Sequence, residues 1–325
     1  MYSIKILNSE AEGYSKEAES ILSSLGHLKQ GNLNRTSLIE IISEYDVLIV
    51  RLGNNIDKEI IDAGVNLKAI VTATTGLNHI DVTYANEKNV NVISLKGEYE
   101  FLKNISATSE HTIGLLLSLL RNIPAASKSV KNGNWNRNLF KGKEISGKRF
   151  GILGYGRIGV KVAKYAKAFG AKVIVYDIKK IPPQQEDIIV VNTIDELLEN
   201  CDILSIHLPF DESTSNLIDK YKINKMPETG IIINTSRGEI INEMDLLESL
   251  ESSRISGVAL DVLADEHMNN SIGTHPLIEY SKNHDNLIIT PHIGGATYES
   301  MHETEMFIAS KVSQWIKSMD IGLDQ

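Results

Sequence analysis

Apolar runs of strand length recur along this 325-residue chain, each separated from the next by a stretch with helical periodicity. A first series holds IKIL at 4–7, DVLIV at 46–50, LKAIVTA at 67–73 and NVNVIS at 89–94. A second holds RFGILG at 149–154, KVIVYD at 172–177, DILSIHLP at 202–209, GIIINTS at 230–236, ISGVALDV at 255–262 and NLIITP at 286–291. Strands that alternate with helices pair in parallel, because the crossover between parallel neighbours needs the length of a helix. Near-continuous Ile, Val and Leu is what strands covered on both faces require. The pattern therefore predicts a layered α/β fold with parallel sheets. A chain this long exceeds one ordinary core, so two domains are expected.

Between the two series, SATSEHTIGLLLSLLRNIPAASKSVKNGNW at 106–135 reads as one long helix that Pro124 kinks or restarts. It is a candidate hinge and oligomer contact, and equally a core helix packed within its own chain. Ser37 with Glu40 and Thr193 with Glu196 have the spacing of capping boxes.

Charge narrows the partners. Lys and Arg total 33 against 42 Asp and Glu, a net charge of −9 with the acids scattered, so no basic footprint for nucleic acid is present. Lys128, Lys131, Lys141, Lys143 and Lys148 read as a solvated face. The one cysteine, Cys201, excludes an intramolecular disulfide and a thiolate metal cluster, and suits a reducing cytoplasm as a buried inert thiol. The start, MYSIKILNSEAEGYS, turns polar too soon for a secretory segment. The longest apolar run, IGLLLSLL at 113–120, is too short to cross a bilayer. A soluble cytoplasmic protein is expected, with neither membrane, nucleic acid nor metal as a partner.

Within RFGILGYGRIGVKVAKYAKAFGAKVIVYD, Gly154, Gly156 and Gly159 form G-x-G-x-x-G directly after a strand-like run and before a helix. Gly154 permits a tight turn, Gly156 lets the backbone approach a pyrophosphate, and Gly159 lets helix and strand pack closely. Asp177 closes the next strand, where a carboxylate accepts from ribose hydroxyls and repels the extra phosphate of NADP. NAD is favoured, while Lys179 and Lys180 leave NADP open. The alternative is a glycine turn in an α/β domain that binds no nucleotide.

Together with SEHTIGLLLSLLRNIP, INTSRGEIINEMDLLESL, SGVALDVLADE and TPHIGGATYESM, that loop makes the chain resemble the D-isomer-specific 2-hydroxyacid dehydrogenase family over nearly its whole length. The phosphoglycerate dehydrogenase-like branch is the most similar, without the regulatory domain many of its members append. The resemblance implies two doubly wound parallel-sheet domains, a Rossmann NAD-binding domain inserted into a flavodoxin-like substrate domain. Residues 1–105 would open the substrate domain, 106–293 form the NAD domain and 294–325 return to the substrate domain. It also implies Arg237, Glu266 and His292 as catalytic residues. Reduction of a 2-oxoacid builds negative charge on the carbonyl oxygen, so a proton donor and a cation are needed there. An imidazole can give the proton, a neighbouring carboxylate favours its charged form, and the planar guanidinium can grip carboxylate and carbonyl together.

For the cofactor, NAD or NADH, the matching positions are Gly154, Tyr155, Gly156, Arg157, Ile158, Gly159, Asp177, His207, Leu208, Pro209, Thr235, Ser236, Asp261, Gly294 and Gly295. For the substrate, a small 2-oxoacid or 2-hydroxyacid, they are Arg51, Thr75, Gly76, Leu77 and Asn104. A homodimer through the 107–133 helix is implied as well. Taken singly, Arg237 could be a surface arginine, Glu266 a solvated loop acid and His292 a satisfied turn histidine; their shared place after strand-like runs favours the catalytic reading.

Two stretches depart from the family pattern. His267 stands where proline usually follows the glutamate, and a long polar loop, MNNSIGTHPLIEYSKNHDN, comes next, which makes Glu266 the assignment most open to displacement. SLKGEYEFLKNIS at 94–106 replaces a small, glycine-rich approach to the hinge helix, and its Lys, Tyr and Phe suit a larger substrate such as a sugar-derived acid. The first substrate loop lacks an evident phosphate cradle, so phosphoglycerate is one candidate among several. Two rival functions are an NAD-sensing corepressor-like interaction protein and an NADP-preferring glyoxylate or hydroxypyruvate reductase.

Overall fold

Strands β1 (Ile4–Asn8), β2 (Gly26–Gln30), β3 (Val47–Val50), β4 (Ala69–Thr72) and β5 (Asn91–Ile93) form one sheet in the order β2-β1-β3-β4-β5, every pair parallel. The computed structural model describes residues 4–181, 187–264, 266 and 272–321. This sheet belongs to the first of two compact units, Met1–Ile105 with Thr297–Gln325. Successive residues of its strands point to opposite faces. Ile6, Ile49 and Val71 pack with Ala18 and Leu22 of the helix Lys16–Leu25 and with Ile308, Ala309 and Val312 of the helix Tyr298–Ile321. Leu7, Leu48 and Ile70 pack on the other side with Leu38, Ile42, Ile60 and Ile61. The periodicity reading passes over β2, whose sequence GHLKQ lies half exposed at the sheet edge and carries little apolar signal.

The second unit, Ser106–Ala296, holds β6 (Arg149–Leu153), β7 (Lys172–Tyr176), β8 (Ile188–Val190), β9 (Ile203–Ile206), β10 (Ile231–Asn234), β11 (Gly257–Leu260) and β12 (Leu287–Ile289). Their order is β12-β11-β10-β9-β6-β7-β8, all parallel. The chain reverses its direction of growth between β6 and β9, which is where a doubly wound sheet opens a ligand crevice. Short β8 was not anticipated, because an edge strand with Ile189 and Val190 exposed does not look like a covered one. Cys201 is fully buried just before β9, its Sγ 3.8 Å from the Leu198 carbonyl oxygen, and burial pushes its thiol up to about 12.

The expected long helix is two. Ala107–Leu120 buries Ile113, Leu115, Leu116, Leu119 and Leu120 against the seven-stranded sheet, so it is a core helix of its own unit. Asn122 then turns left-handed at φ 51°, and Pro124 falls in the first turn of a new helix, Ile123–Lys131. A proline there has no donor to lose, and asparagine tolerates the left-handed turn better than most residues. One cap also moves. Asn34, not Ser37, caps the helix Arg35–Ile41, its Oδ1 accepting from Ser37 N–H at 3.0 Å, because an amide side chain stands one turn earlier. Thr193 does cap its helix, accepting from Glu196 N–H at 3.1 Å, while the Glu196 carboxylate reaches back to Asn192 N–H. No described helix is long and apolar enough to cross a membrane.

Candidate active site

The turn after β6 is built from absences of side chain. Gly154 has φ +94°, and a Cβ on it would meet the His207 carbonyl oxygen at 2.6 Å; one on Gly159 would meet the Gly154 carbonyl oxygen at 2.1 Å. The helix Arg157–Ala168 thus begins tight against the strand, with its amide donors at the turn. At Gly156 a Cβ would meet nothing, so the space above it is open to a ligand. Asp177, beyond β7, fastens the turn: Oδ2 accepts from Tyr155 N–H at 2.7 Å and Oδ1 from Lys179 N–H at 2.8 Å. Each oxygen keeps a second lone pair for a further donor. The side chains of Lys179 and Lys180 are exposed.

Tyr155 and Ile158 pack on the core under the turn, and burial pulls the Arg157 guanidinium below its ordinary range. At the end of β9, His207 Nε2 lies 2.8 Å from Ser205 Oγ, and Nδ1 is buried without a hydrogen-bond partner. Burial pulls this ring down to about 3, so it is neutral. Leu208 packs on the core, and exposed Pro209 offers its carbonyl to Thr214 Oγ1. Beyond β10, Thr235 Oγ1 is 2.8 Å from Thr112 Oγ1, and Ser236 Oγ donates to the Ile206 carbonyl at 2.7 Å.

Three side chains gather beyond β10, β11 and β12. His292 Nδ1 is bonded to Glu266 Oε1, so the pairing survives the unusual residue that follows the acid. Position 267 itself, and the loop through 271, lie outside the described residues. The other oxygen, Oε2, accepts from Leu263 N–H at 3.2 Å. Burial pulls the Arg237 guanidinium below its ordinary range, countered by the charges of Glu266 and Glu239. Its Nη1 donates to the Ser236 carbonyl at 2.6 Å. His292 is held in a left-handed backbone, φ 52°, a conformation few non-glycine residues adopt.

Asp261 holds it there. This carboxylate is 1% exposed and accepts from Ile293 N–H at 2.9 Å and Gly294 N–H at 2.7 Å, while its own carbonyl accepts from His292 N–H at 2.8 Å. Thr290 Oγ1 donates to it at 2.6 Å, and His111 Nε2 lies 3.1 Å away. Burial pushes the carboxyl up, but these bonds outweigh it and leave it below the usual range. Gly294 is required next to it, since a Cβ would meet Asp261 Oδ2 at 2.8 Å; Gly295 stands in open space. Asp261, named for the cofactor from sequence, is thus committed to the backbone that presents His292.

Two supports were not read from sequence. Gly238, directly after Arg237, passes so near β11's outgoing chain that a Cβ would lie 2.0 Å from Leu263 C and 2.1 Å from Ala264 N. Glu243 Oε1 accepts from Ala264 N–H at 2.8 Å, and its Oε2 lies 3.0 Å from His275 Nε2. His275 Nδ1 accepts from Leu277 N–H at 3.3 Å, so Nε2 carries the proton and donates. Burial pushes the Glu243 carboxyl up, against the pull of Ala264 N–H and His275. This brace ties the polar loop after Glu266 back to the chain just before it.

The substrate residues expected from sequence are in the first unit. Arg51 leaves β3 and pairs through Nη2 with Glu305 Oε1. Thr75 is exposed, Gly76 offers its carbonyl to Thr74 Oγ1 at 2.8 Å, Leu77 offers its own to Ile80 N–H at 2.9 Å, and Asn104 is exposed. Phe101, in the stretch that suggested a larger pocket, stacks on Phe307 with ring centroids 4.0 Å apart.

A parallel sheet with a glycine turn at its topological switch and an acid at the end of the next strand defines a dinucleotide-binding domain. Residues 113–294 match the model of the D-isomer specific 2-hydroxyacid dehydrogenase, NAD binding domain. The chain is 36% identical over 299 residues to hydroxypyruvate reductase of Thermotoga maritima, which spans 91% of this chain and 94% of that protein. It is 34% identical to D-3-phosphoglycerate dehydrogenase of Methanocaldococcus jannaschii, over 93% of this chain but 56% of that one. D-lactate dehydrogenase of Aquifex aeolicus, solved with NAD and lactic acid, superposes with a TM-score of 0.84 at 25% identity, over 97% of this chain and 96% of that one. The chain belongs to the D-isomer-specific 2-hydroxyacid dehydrogenase family and is an NAD-dependent oxidoreductase acting on CH–OH donors.

Proposed function

We propose that the protein interconverts a 2-oxoacid and its D-2-hydroxyacid, with His292 as acid and base, Glu266 as its partner and Arg237 as the substrate anchor. The observation that carries this reading is the His292–Glu266 bond, made beside the half-buried Arg237 guanidinium beyond the strands of a nucleotide-binding sheet. The residues present fit NAD: open space above Gly156, helix amides at the turn, a buried unpartnered nitrogen on His207 and the Asp177 carboxylate. Held by these residues, NADH would be the source of the hydride that the carbonyl carbon needs. His292 gives its proton to the carbonyl oxygen, so that the 2-oxoacid, one hydride and one proton make the hydroxyacid. Since Nδ1 is committed to Glu266, the proton leaves from Nε2. Arg237 neutralises the charge gathering on that oxygen and on the carboxylate, which is worth most where water is excluded. Arg51, Thr75, Gly76, Leu77 and Asn104 are proposed to contact the substrate.

The test is the loss of NADH absorbance on mixing with a panel of 2-oxoacids that includes glyoxylate, hydroxypyruvate, lactate's oxoacid and sugar-derived acids. Turnover of at least one is expected, and tight NADH binding with no turnover of any would favour an interaction protein instead. Asp177→Ala is expected to raise the KM for NADH by about tenfold, the cost of charge-assisted bonds, and to narrow the preference over NADPH. An unchanged preference would remove Asp177 from cofactor selection.

We further propose that the enzyme is a cytoplasmic homodimer. The segment after the core helix buries no residue in Ile123–Lys131 and leaves Ile123 and Val130 half exposed, Trp135 89% exposed and Leu139 69% exposed. Apolar side chains so concentrated on one stretch call for a partner surface. Light scattering is expected to give twice the chain mass, falling to one chain in Trp135→Glu with Leu139→Glu; a monomeric wild type would refute it.

A further inference from the structure

We infer that the substrate carries no phosphate at the end remote from its carboxylate, an inference that rests on the 2-oxoacid reading above and on Arg51 as a substrate contact. The loop beyond β3 is an anion receptor in its composition: a guanidinium at Arg51 and two backbone amides at Gly53 and Asn54, all beyond the carboxyl end of a parallel strand. In this chain the receptor is filled from within. Glu10, just beyond β1, accepts from Gly53 N–H through Oε2 at 2.9 Å and from Asn54 N–H through Oε1 at 3.1 Å. Glu305, on the helix Tyr298–Ile321, takes the Arg51 guanidinium through Oε1 and Ser15 N–H through Oε2 at 2.7 Å. A second Arg51 nitrogen, Nη1, donates to the Glu12 carbonyl at 2.7 Å, and the guanidinium lies over the Tyr14 ring, 5.3 Å from its centroid.

Glu305 is 2% exposed and Arg51 22% exposed, so the acid of the pair is removed from water while the guanidinium is half-buried. To take Nη2 of Arg51, an incoming phosphate would have to displace a buried carboxylate that already satisfies both a guanidinium and an amide, and it would do so beside a second carboxylate on the neighbouring amides. Removing one partner of such a pair leaves an uncompensated buried charge, the costly outcome. A neutral hydroxyl or a hydrogen at the same end of the substrate asks nothing of either acid. The accepted class is therefore the unphosphorylated 2-oxoacid.

The experiment compares kcat/KM for hydroxypyruvate and for its 3-phosphate, with NADH and the whole chain. The unphosphorylated acid is expected to lead by at least a hundredfold, and parity or reversal overturns the inference. Glu305→Gln and Glu10→Gln are each expected to narrow that ratio by about tenfold or more; a ratio unmoved in both folded variants overturns the assignment to these carboxylates. Failure of both, together with no turnover across the wider panel of 2-oxoacids, would sink the reductase reading, and a second measurement then decides the inference separately. Calorimetric titration of the NAD-saturated protein with 3-phosphoglycerate is expected to show at least hundredfold weaker binding than with D-glycerate, and equal or tighter binding overturns it.

Discussion

His292→Asn is expected to lower kcat by about a thousandfold while the chain stays folded and NADH binding changes by less than about threefold, the range over which a positioned proton donor acts. Asparagine is the informative replacement because of the backbone. His292 sits at φ 52°, where alanine would add about 1 kcal/mol of left-handed strain and confuse a chemical loss with a structural one. Asparagine is at ease there and keeps the N–H that donates to the Asp261 carbonyl. Its amide cannot hand a proton to a carbonyl oxygen as a ring N–H can, so the loss should fall on kcat. Steady-state kinetics across pH, paired with a fluorescence titration of NADH, checks both parts. Retention of more than about a tenth of the wild-type turnover would remove His292 from the chemistry.

Gly238→Ala is expected to cost at least about a hundredfold in kcat/KM without touching any group that meets the substrate. The added methyl would stand 2.0 Å from Leu263 C and 2.1 Å from Ala264 N, both backbone atoms with no rotamer to give way. One of two chain segments must then shift by an ångström or more. One carries Arg237 and the other leads into Glu266, so either shift separates the anchor from the proton-handling pair. Stability should fall by about 1–3 kcal/mol, as overpacking does, read as a lower urea midpoint. The glycine turn after β6 lies elsewhere in the unit, so NADH affinity should be nearly preserved. An active Gly238→Ala enzyme would show that these two segments are not rigidly matched.

The strands most legible in sequence are those covered on both sides. β3, β4, β9 and β10 are buried at every residue, and each reads as an unbroken apolar run. β2 and β8 were passed over because an edge strand exposes one flank and loses that signature. The glycine turn, Asp177, Arg237, Glu266 and His292 were also legible, since each sits in a local motif at a strand end. What holds them was not. His111 meets Asp261 across 150 positions and Arg51 meets Glu305 across 254, and no spacing rule links residues so far apart. A faint signal exists at His111, a polar residue just before the apolar run IGLLLSLL, where partial burial calls for a partner without naming it. Ser37 misled for the opposite reason: a valid local motif was outcompeted by Asn34 one turn earlier.

Cys201 turns the native chain into its own stopwatch. The only thiol is sealed beneath β6 and β9, where even a Cβ on Gly151 would strike it, and its burial keeps it protonated at neutral pH. An alkylating reagent can reach it only in molecules whose seven-stranded sheet has come apart. The labelling rate, divided by that of an unprotected thiol, is then the fraction of time the sheet spends open, read under conditions where the enzyme is still working.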